Sequence, residues 1–395
     1  MTERPRIITL TLSPARDLTI EADTIDLGTS HRVPQAKGRL GGKGINVARV
    51  LAALGRSVYV QGPVNAVDWP ESADSVSESP DAKSAGAEVP AQAATDLGAG
   101  MVWDLTATPS PLRRSYALVE ESGRATLFNE QASEHPAEVW AQLEAKLRAR
   151  LAEPQVSALA ISGSTPSDLP EGFFERAIAS AHEAGVRVIV DTSGPALIAA
   201  ARAGADWLKP NHEELAELVT DGAGEPIADG DGELVTEGAD RLIAAGASTV
   251  LVSHGGEGMV LIDRTGARSR ARLDTPVQGN PTGAGDAVVA ALLNRLTQDD
   301  AGTDALLTDA EVETILTDAV AISAAAVLMP QAGAIHPTWA ELRDRVQIIA
   351  PNDAPAPTSA PARDDAAAPN GEPASPAKSA IDPVAQASTS ESPGE

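Results

Sequence analysis

Two glycines and an acid stand before an apolar run: Thr282-Gly283-Ala284-Gly285-Asp286 leads into AVVAALLNRL. An acid at a helix start suits the positive end of the helix dipole, and bare glycine N–H groups beside it can face an anion. Gly41-Gly42-Lys43-Gly44 opens INVARVLAAL in the same manner, and places Lys43 and Asn46 beside a second helix start. It is not a Walker loop, which needs Gly at 37 and Ser or Thr after the lysine; the chain has Lys37 and Gly44. Nor is it a dinucleotide fingerprint, whose third glycine would fall on Val47. What remains is a loop where a sugar or a phosphate could approach. Taken singly, each stretch also reads as a tight connector.

Three further clusters stand at strand ends. Asp17 closes Ser13-Pro14-Ala15-Arg16-Asp17, where open α/β sheets bind ligands and an acid can grip hydroxyls. In Lys209-Pro210-Asn211-His212-Glu213-Glu214, Asn211 and Glu214 have the spacing of a capping box. Ser253-His254-Gly255-Gly256-Glu257-Gly258 follows another strand. Its glycines let a flat ligand lie against backbone, and a hairpin turn accounts for them equally well.

These clusters need elements to hold them. Ile7–Leu12, Ser57–Gln61, Ala158–Ser162, Val186–Val190, Trp207–Lys209 and Val250–Ser253 are short β-rich runs. Helical spacing marks Gly44–Leu54, Pro170–Ala184, Gly194–Ala203, Glu213–Val219, Ala239–Ala245, Ala287–Leu296 and Glu311–Leu328. The alternation predicts a mainly parallel sheet covered on both faces. Period-two runs at Leu18–Ala22, His31–Val33, Ser115–Val119 and Ala125–Phe128, with a turn at Glu121-Ser122-Gly123, predict a small separate sheet, a lid. No internal repeat is present.

The composition narrows the chemistry. With no cysteine, disulfides, thiolate metal sites and cysteine nucleophiles are excluded. The six histidines show no zinc-binding spacing. A net charge of −26 argues against nucleic acid and anionic membranes as partners, and requires local cations for any anionic substrate. MTERPRIITLTL lacks the apolar core of a signal peptide, and no stretch is long enough to span a membrane, so a cytoplasmic protein is expected. Residues 66–92 are acidic, and 351–395 are Pro, Ala, Ser and Asp; both are expected to be disordered, with a weaker acidic insertion at 221–238.

Taken together, the order Asp17, GGKGIN, NHEE, SHGGEG, TGAGD resembles the PfkB (ribokinase-like) family of carbohydrate kinases over roughly residues 6–340. GGKGINVARVLAALG is similar to that family's N-terminal signature and NPTGAGDAVVAALL to its C-terminal one. SGSTPSDLP, DTSGPAL, LKPNHEEL and Asn280 resemble its hexose-phosphate kinase branch, which contains 1-phosphofructokinase and tagatose-6-phosphate kinase. The resemblance implies a three-layer α/β/α kinase domain over 1–350, with lid strands at about 18–40 and 113–130.

It also implies roles. Asp286 would be the catalytic base, with the N–H groups of Gly283, Ala284 and Gly285 on the γ-phosphoryl. Asp17, Gly42 and Asn46 would hold the sugar, while Lys43 and Arg113, helped by Lys37 or Arg39, would pair with its phosphate. Lys209, Asn211, Ser253, Gly255, Gly256, Gly258 and Gly285 would meet ATP, and Glu214 with Asn211 would position Mg²⁺ through water. Fructose 1-phosphate is the expected acceptor, with tagatose 6-phosphate and fructose 6-phosphate as alternatives. A silent sugar-phosphate sensor is the reading from another class. An oxidoreductase falls with the missing fingerprint. The lid strands could pair two chains into a homodimer. Two departures stand out: Ser13 replaces the family's usual Asn, and 66–92 lies where relatives continue the sheet.

Overall fold

The computed structural model describes residues 6–70, 100–122, 124–219, 231–298 and 307–349, which all fall in one compact unit, 1–354. From the N-terminus come β1 (Arg6–Thr11), β2 (Ala15–Ala22), β3 (Lys37–Gly41), β4 (Ser57–Gln61), β5 (Pro63–Val64), β6 (Met101–Trp103) and β7 (Thr106–Ala107). Then follow β8 (Arg113–Glu120), β9 (Ala125–Asn129), β10 (Val156–Ser162), β11 (Arg187–Asp191), β12 (Trp207–Leu208) and β13 (Thr249–Ser253). The last strands are β14 (Met259–Asp263), β15 (Gly266–Leu273) and β16 (Val346–Ile349). The helices are α1 (Lys43–Ala53), α2 (Ala137–Leu151), α3 (Phe173–Glu183), α4 (Gly194–Arg202) and α5 (His212–Leu218). They continue with α6 (Asp231–Ala245), α7 (Ala284–Leu296), α8 (Asp309–Val327) and α9 (Trp339–Arg343).

Among the described residues, ten strands form one sheet in the order β16-β15-β14-β13-β12-β11-β10-β1-β4-β6. From β6 to β13 every pair is parallel; from β13 to β16 every pair is antiparallel. Successive side chains of a strand face opposite ways, and the core divides accordingly. Ile7 belongs to the layer of α1, α7 and α8, with Ile45, Val288 and Leu316. Ile8 and Leu10 belong to the other, with Trp140 of α2, Phe173 of α3 and Leu242 of α6. This is a three-layer α/β/α sandwich. Strand β1 is the first laid down, and the chain then builds to both sides of it, which puts a crevice at the carboxyl ends of the central strands.

A second sheet, in the order β3-β2-β8-β9, stands apart from the first, and its exposed residues include Leu127 and Phe128. It is the expected lid, with one difference. His31–Val33 is not a strand; residues 27–36 run as turns and irregular chain, with Leu27 and Val33 exposed and Pro34 lacking a donor. Of the expected disordered insertion at 66–92, residues 66–70 are described and ordered. Ala66–Asp68 is a 3₁₀ turn capped by Asn65, and Asp68 pairs with Arg16. Residues 71–92, and the tail 351–395, lie outside the described residues. Of the expected insertion at 221–238, residues 231–238 form the first half of α6, and 221–230 lie outside the described residues.

Candidate active site

Backbone geometry explains the glycines first. Gly42, the residue before α1, has φ +109 and abuts Thr11. A side chain on Gly41 would collide with the Asp17 carboxylate, and one on Gly44 with the Thr11 hydroxyl. The loop is therefore bare because α1 is pressed onto β1 and Asp17 is pressed onto the loop. Gly283 caps α7 in the left-handed region, φ +88, where a Cβ would stand 2.7 Å from that of Ala332. Both helix starts are held against the carboxyl ends of β1, β10, β11, β12 and β13.

A cleft of about 850 Å³ lies there, roofed by the lid. It is lined by Asp17, Gly42, Lys43, Asn46, Arg113, Lys209, Asn211, Glu214, Ser253, Gly283, Gly285 and Asp286. A second cavity of about 650 Å³ is lined by Gly255, Gly256, Gly258 and Ala284, and the two share Ser253, Pro281 and Gly285. The 253–258 stretch is both things that the sequence allowed. It is a 3₁₀ turn inside the β13–β14 hairpin, and it is a cavity wall.

Asn46, buried in the first turns of α1, joins the two acids. Its Nδ2 donates to Asp286 Oδ2 at 3.1 Å and to Asp17 Oδ2 at 3.5 Å, while Arg49 donates to its Oδ1 at 3.3 Å and so fixes the amide. Burial pushes the Asp286 carboxyl up to about 7; the Asp191 carboxylate adds to this, and Lys43, Asn46 and Lys209 oppose it. Asp17 is also raised by burial, against the pull of Asn46, Arg49 and Arg39. Asp286 thus sits where a carboxyl can exchange a proton near neutrality.

Asp191 ends β11 at 1% exposure and organises the cations. Its Oδ1 lies 3.3 Å from Lys43 Nζ and 3.5 Å from Lys209 Nζ, and its Oδ2 is buried with no hydrogen-bond partner. The Asp191 charge holds the Lys43 ammonium well above its ordinary value. Lys209, only 4% exposed, lies against Gly285, where an added Cβ would be 3.5 Å from Nζ. The sequence reasoning missed Asp191, although its argument, an acid at a strand's carboxyl end, holds for Asp191 at the end of β11. It does not hold for Asp17, which lies inside lid strand β2 and reaches the cleft from the lid.

Several expected residues have prior engagements. Arg113 Nε donates to Ser13 Oγ at 2.7 Å and Nη2 to the Ser13 carbonyl at 3.1 Å, so the departure at Ser13 anchors this guanidinium. Burial lowers its pKa, and Asp17 counters. Asn211 Oδ1 accepts the Glu214 N–H at 2.8 Å and Glu214 Oε2 accepts the Asn211 N–H at 2.9 Å, a complete capping box. The Ala284 N–H donates to the Pro281 carbonyl at 3.1 Å. Among the described residues, those of Gly283 and Gly285 have no backbone partner, so they are the ones left to an anion.

Parallel strands whose carboxyl ends face a four-stranded lid across such a cleft are the architecture of the ribokinase-like kinases, and the comparisons agree. Ribokinase from Arabidopsis thaliana, complexed with ribose and ATP, shares the fold with a TM-score of 0.58 at 18% identity, over 86% of this chain and 99% of that one. The tetrameric inhibited form of phosphofructokinase-2 from Escherichia coli matches at TM-score 0.66 and 25% identity, over 86% of this chain and 98% of that one. A 1-phosphofructokinase of Xanthomonas campestris pv. campestris is 32% identical over 297 residues, 74% of this chain and 84% of that protein. Residues 111–339 match the profile of the pfkB family carbohydrate kinases. The chain belongs to that family, and is an ATP-dependent carbohydrate kinase.

Proposed function

We propose that the chain transfers the γ-phosphoryl group of ATP to a ketohexose phosphate, converting fructose 1-phosphate to fructose 1,6-bisphosphate. The observation that carries this reading is charge. In a protein of net charge −26, Arg39, Lys43, Arg113 and Lys209 line one cleft together with Asp17 and Asp286. A neutral sugar would not need so many cations; a sugar phosphate meeting a triphosphate does. The identity to the Xanthomonas 1-phosphofructokinase supports the choice of acceptor.

The mechanism follows from position. Asp17 and Asn46 orient the sugar hydroxyls, and Lys43 with Arg113 pairs with the phosphate it already carries. ATP occupies the second cavity, with its γ-phosphoryl at the shared wall beside Gly285. Asp286 takes the proton of the acceptor hydroxyl as that oxygen bonds to phosphorus, and the bridging oxygen leaves with ADP. Lys209 and the N–H groups of Gly283 and Gly285 hold the charge that spreads over the moving group.

Among the described residues no cluster of three His, Cys, Asp or Glu could enclose a metal ion. Mg²⁺ does not need one, because it keeps several waters and takes phosphate oxygens as ligands. The unpartnered Asp191 Oδ2, with Glu214, fits a hydrated magnesium held through water, which would neutralise phosphate charge.

A coupled assay of ADP release with fructose 1-phosphate, fructose 6-phosphate, tagatose 6-phosphate and fructose tests the reading. The highest kcat/KM is expected for fructose 1-phosphate and by far the lowest for fructose. Equal values for fructose and its phosphate would end the phosphate-pocket argument. Preference for another phosphate would change only the acceptor, and binding without turnover would favour the sensor.

A further inference from the structure

The second cavity has a peculiarity of charge. Its walls are the glycine turn after β13, the segment before α7, α7 itself and α8, and they are neutral throughout with one exception. The exception is Arg124, from the turn that joins β8 and β9 of the lid. This arginine is anchored. Its Nη2 donates to Glu120 Oε1 at 2.6 Å, and its Nε donates to Oε2 of the same carboxylate. Glu120 is buried and also accepts the Ile25 N–H at 2.8 Å, so the carboxylate that holds the guanidinium is itself fixed to the lid. The Arg124 side chain is nevertheless 68% exposed, and the pair with Glu120 uses only one edge of its fork.

We infer that Arg124 is a nucleotide-binding residue carried by the lid, and that it pairs with a phosphate of the nucleotide in the second cavity. The inference rests on the reading of that cavity as the ATP site. Backbone N–H groups in a glycine turn offer only partial charges, and the overall field of this acidic chain repels a polyanion. One fixed cation over an otherwise neutral cavity supplies what is missing. A guanidinium is suited to it, because it keeps one edge for Glu120 while the other meets phosphate oxygens. Arg124 pulls the Glu120 carboxyl down to about 2, so the pair stays ionised throughout the working pH range.

Steady-state kinetics of the full chain with MgATP and fructose 1-phosphate test this. Arg124→Ala is expected to raise KM for ATP about tenfold, the loss of one charge-assisted contact, while kcat and KM for the sugar phosphate stay within about twofold. Arg124→Lys should recover part of the loss. Arg114→Ala is the control: this arginine lies on the same lid, pairs with Glu130 at 3.9 Å and lines neither cavity. Removing its charge should leave KM for ATP unchanged. An unchanged KM for ATP in Arg124→Ala overturns the inference. So does a parallel rise in both KM values, which would mean lid damage, or an equal effect of Arg114→Ala, which would mean a diffuse field. Calorimetric titration with ATP alone separates this from the proposed reaction, because it needs no turnover. A wild type that binds ATP about tenfold more tightly than Arg124→Ala but phosphorylates no sugar phosphate sustains the inference and sinks the reaction; one that binds no ATP overturns both.

Discussion

Asp286 carries two consequences of a single burial. A base with a pKa of about 7 is half-ionised at neutral pH, so kcat/KM should rise about tenfold per pH unit below 7 and level off above it. Asp286→Asn should lower kcat by about 10² to 10⁴ and flatten that limb; a variant keeping a third of wild-type turnover would refute the role. Stability gives the independent check. The folded-state pKa is raised above the ordinary value of 3.8, so the native state holds this proton more tightly than the unfolded chain does. That contribution is present below 3.8 and is lost as pH rises through about 7. Asp286→Asn should therefore melt above wild type at pH 8, with the gap closing toward pH 4.

At the scale of elements, the loop before α1 is built by exclusion. Since Gly41 faces the Asp17 carboxylate without room for a side chain, Gly41→Ala should leave the fold intact but displace that acid. KM for the sugar phosphate is expected to rise about 10- to 100-fold with KM for ATP little changed, a cost in line with an ångström of misplacement. An unaltered KM would show that Asp17 does not hold the sugar. How much of this was readable depended on range. The parallel strands β1, β4 and β10 to β13 and the starts of α1 and α5 were legible, because apolar runs and glycine punctuation are local signals. The parallel strand β6 was not read, and α7 begins at Ala284, three residues before the expected Ala287. Helix α2 went unread. Its Val139, Trp140, Leu143, Leu147 and Leu151 keep helical spacing, but charged residues between them and the polar stretch before it mask the period. The antiparallel strands β14 to β16 were also missed. Range accounts only for β16, which pairs with β15 some 80 residues earlier; β14 and β15 follow β13 through short local turns. In the site, the residue types could be picked out, while the engagements that set their chemistry could not. Nothing local in the sequence joins Asn46 to both acids, Asp191 to two lysines or Arg113 to Ser13.

The whole molecule presents a lid edge and a large charge to its surroundings. Strand β9 borders the small sheet, with Leu127 and Phe128 exposed at 47% and 57%. A second copy pairing there would satisfy the open edge and cover Phe128, on the face opposite the cleft that Leu127 lines. Each copy carries a charge of −26, so the association should strengthen as salt screens the repulsion. Light scattering is expected to find a dimer in about 0.15 M salt and a monomer for Phe128→Asp under the same conditions. A monomeric wild type would rule out that contact.

One sheet roofs two rooms. Leu18, Ser115 and Leu127 of the lid stand over the first cleft, and Arg124, on the turn of the same sheet, stands over the neighbouring cavity. The rooms have separate walls apart from three residues, yet they have no separate ceilings. Any movement that lifts this sheet as a body vents both at once, so with the occupants proposed above, the departures of the two products would run on one clock.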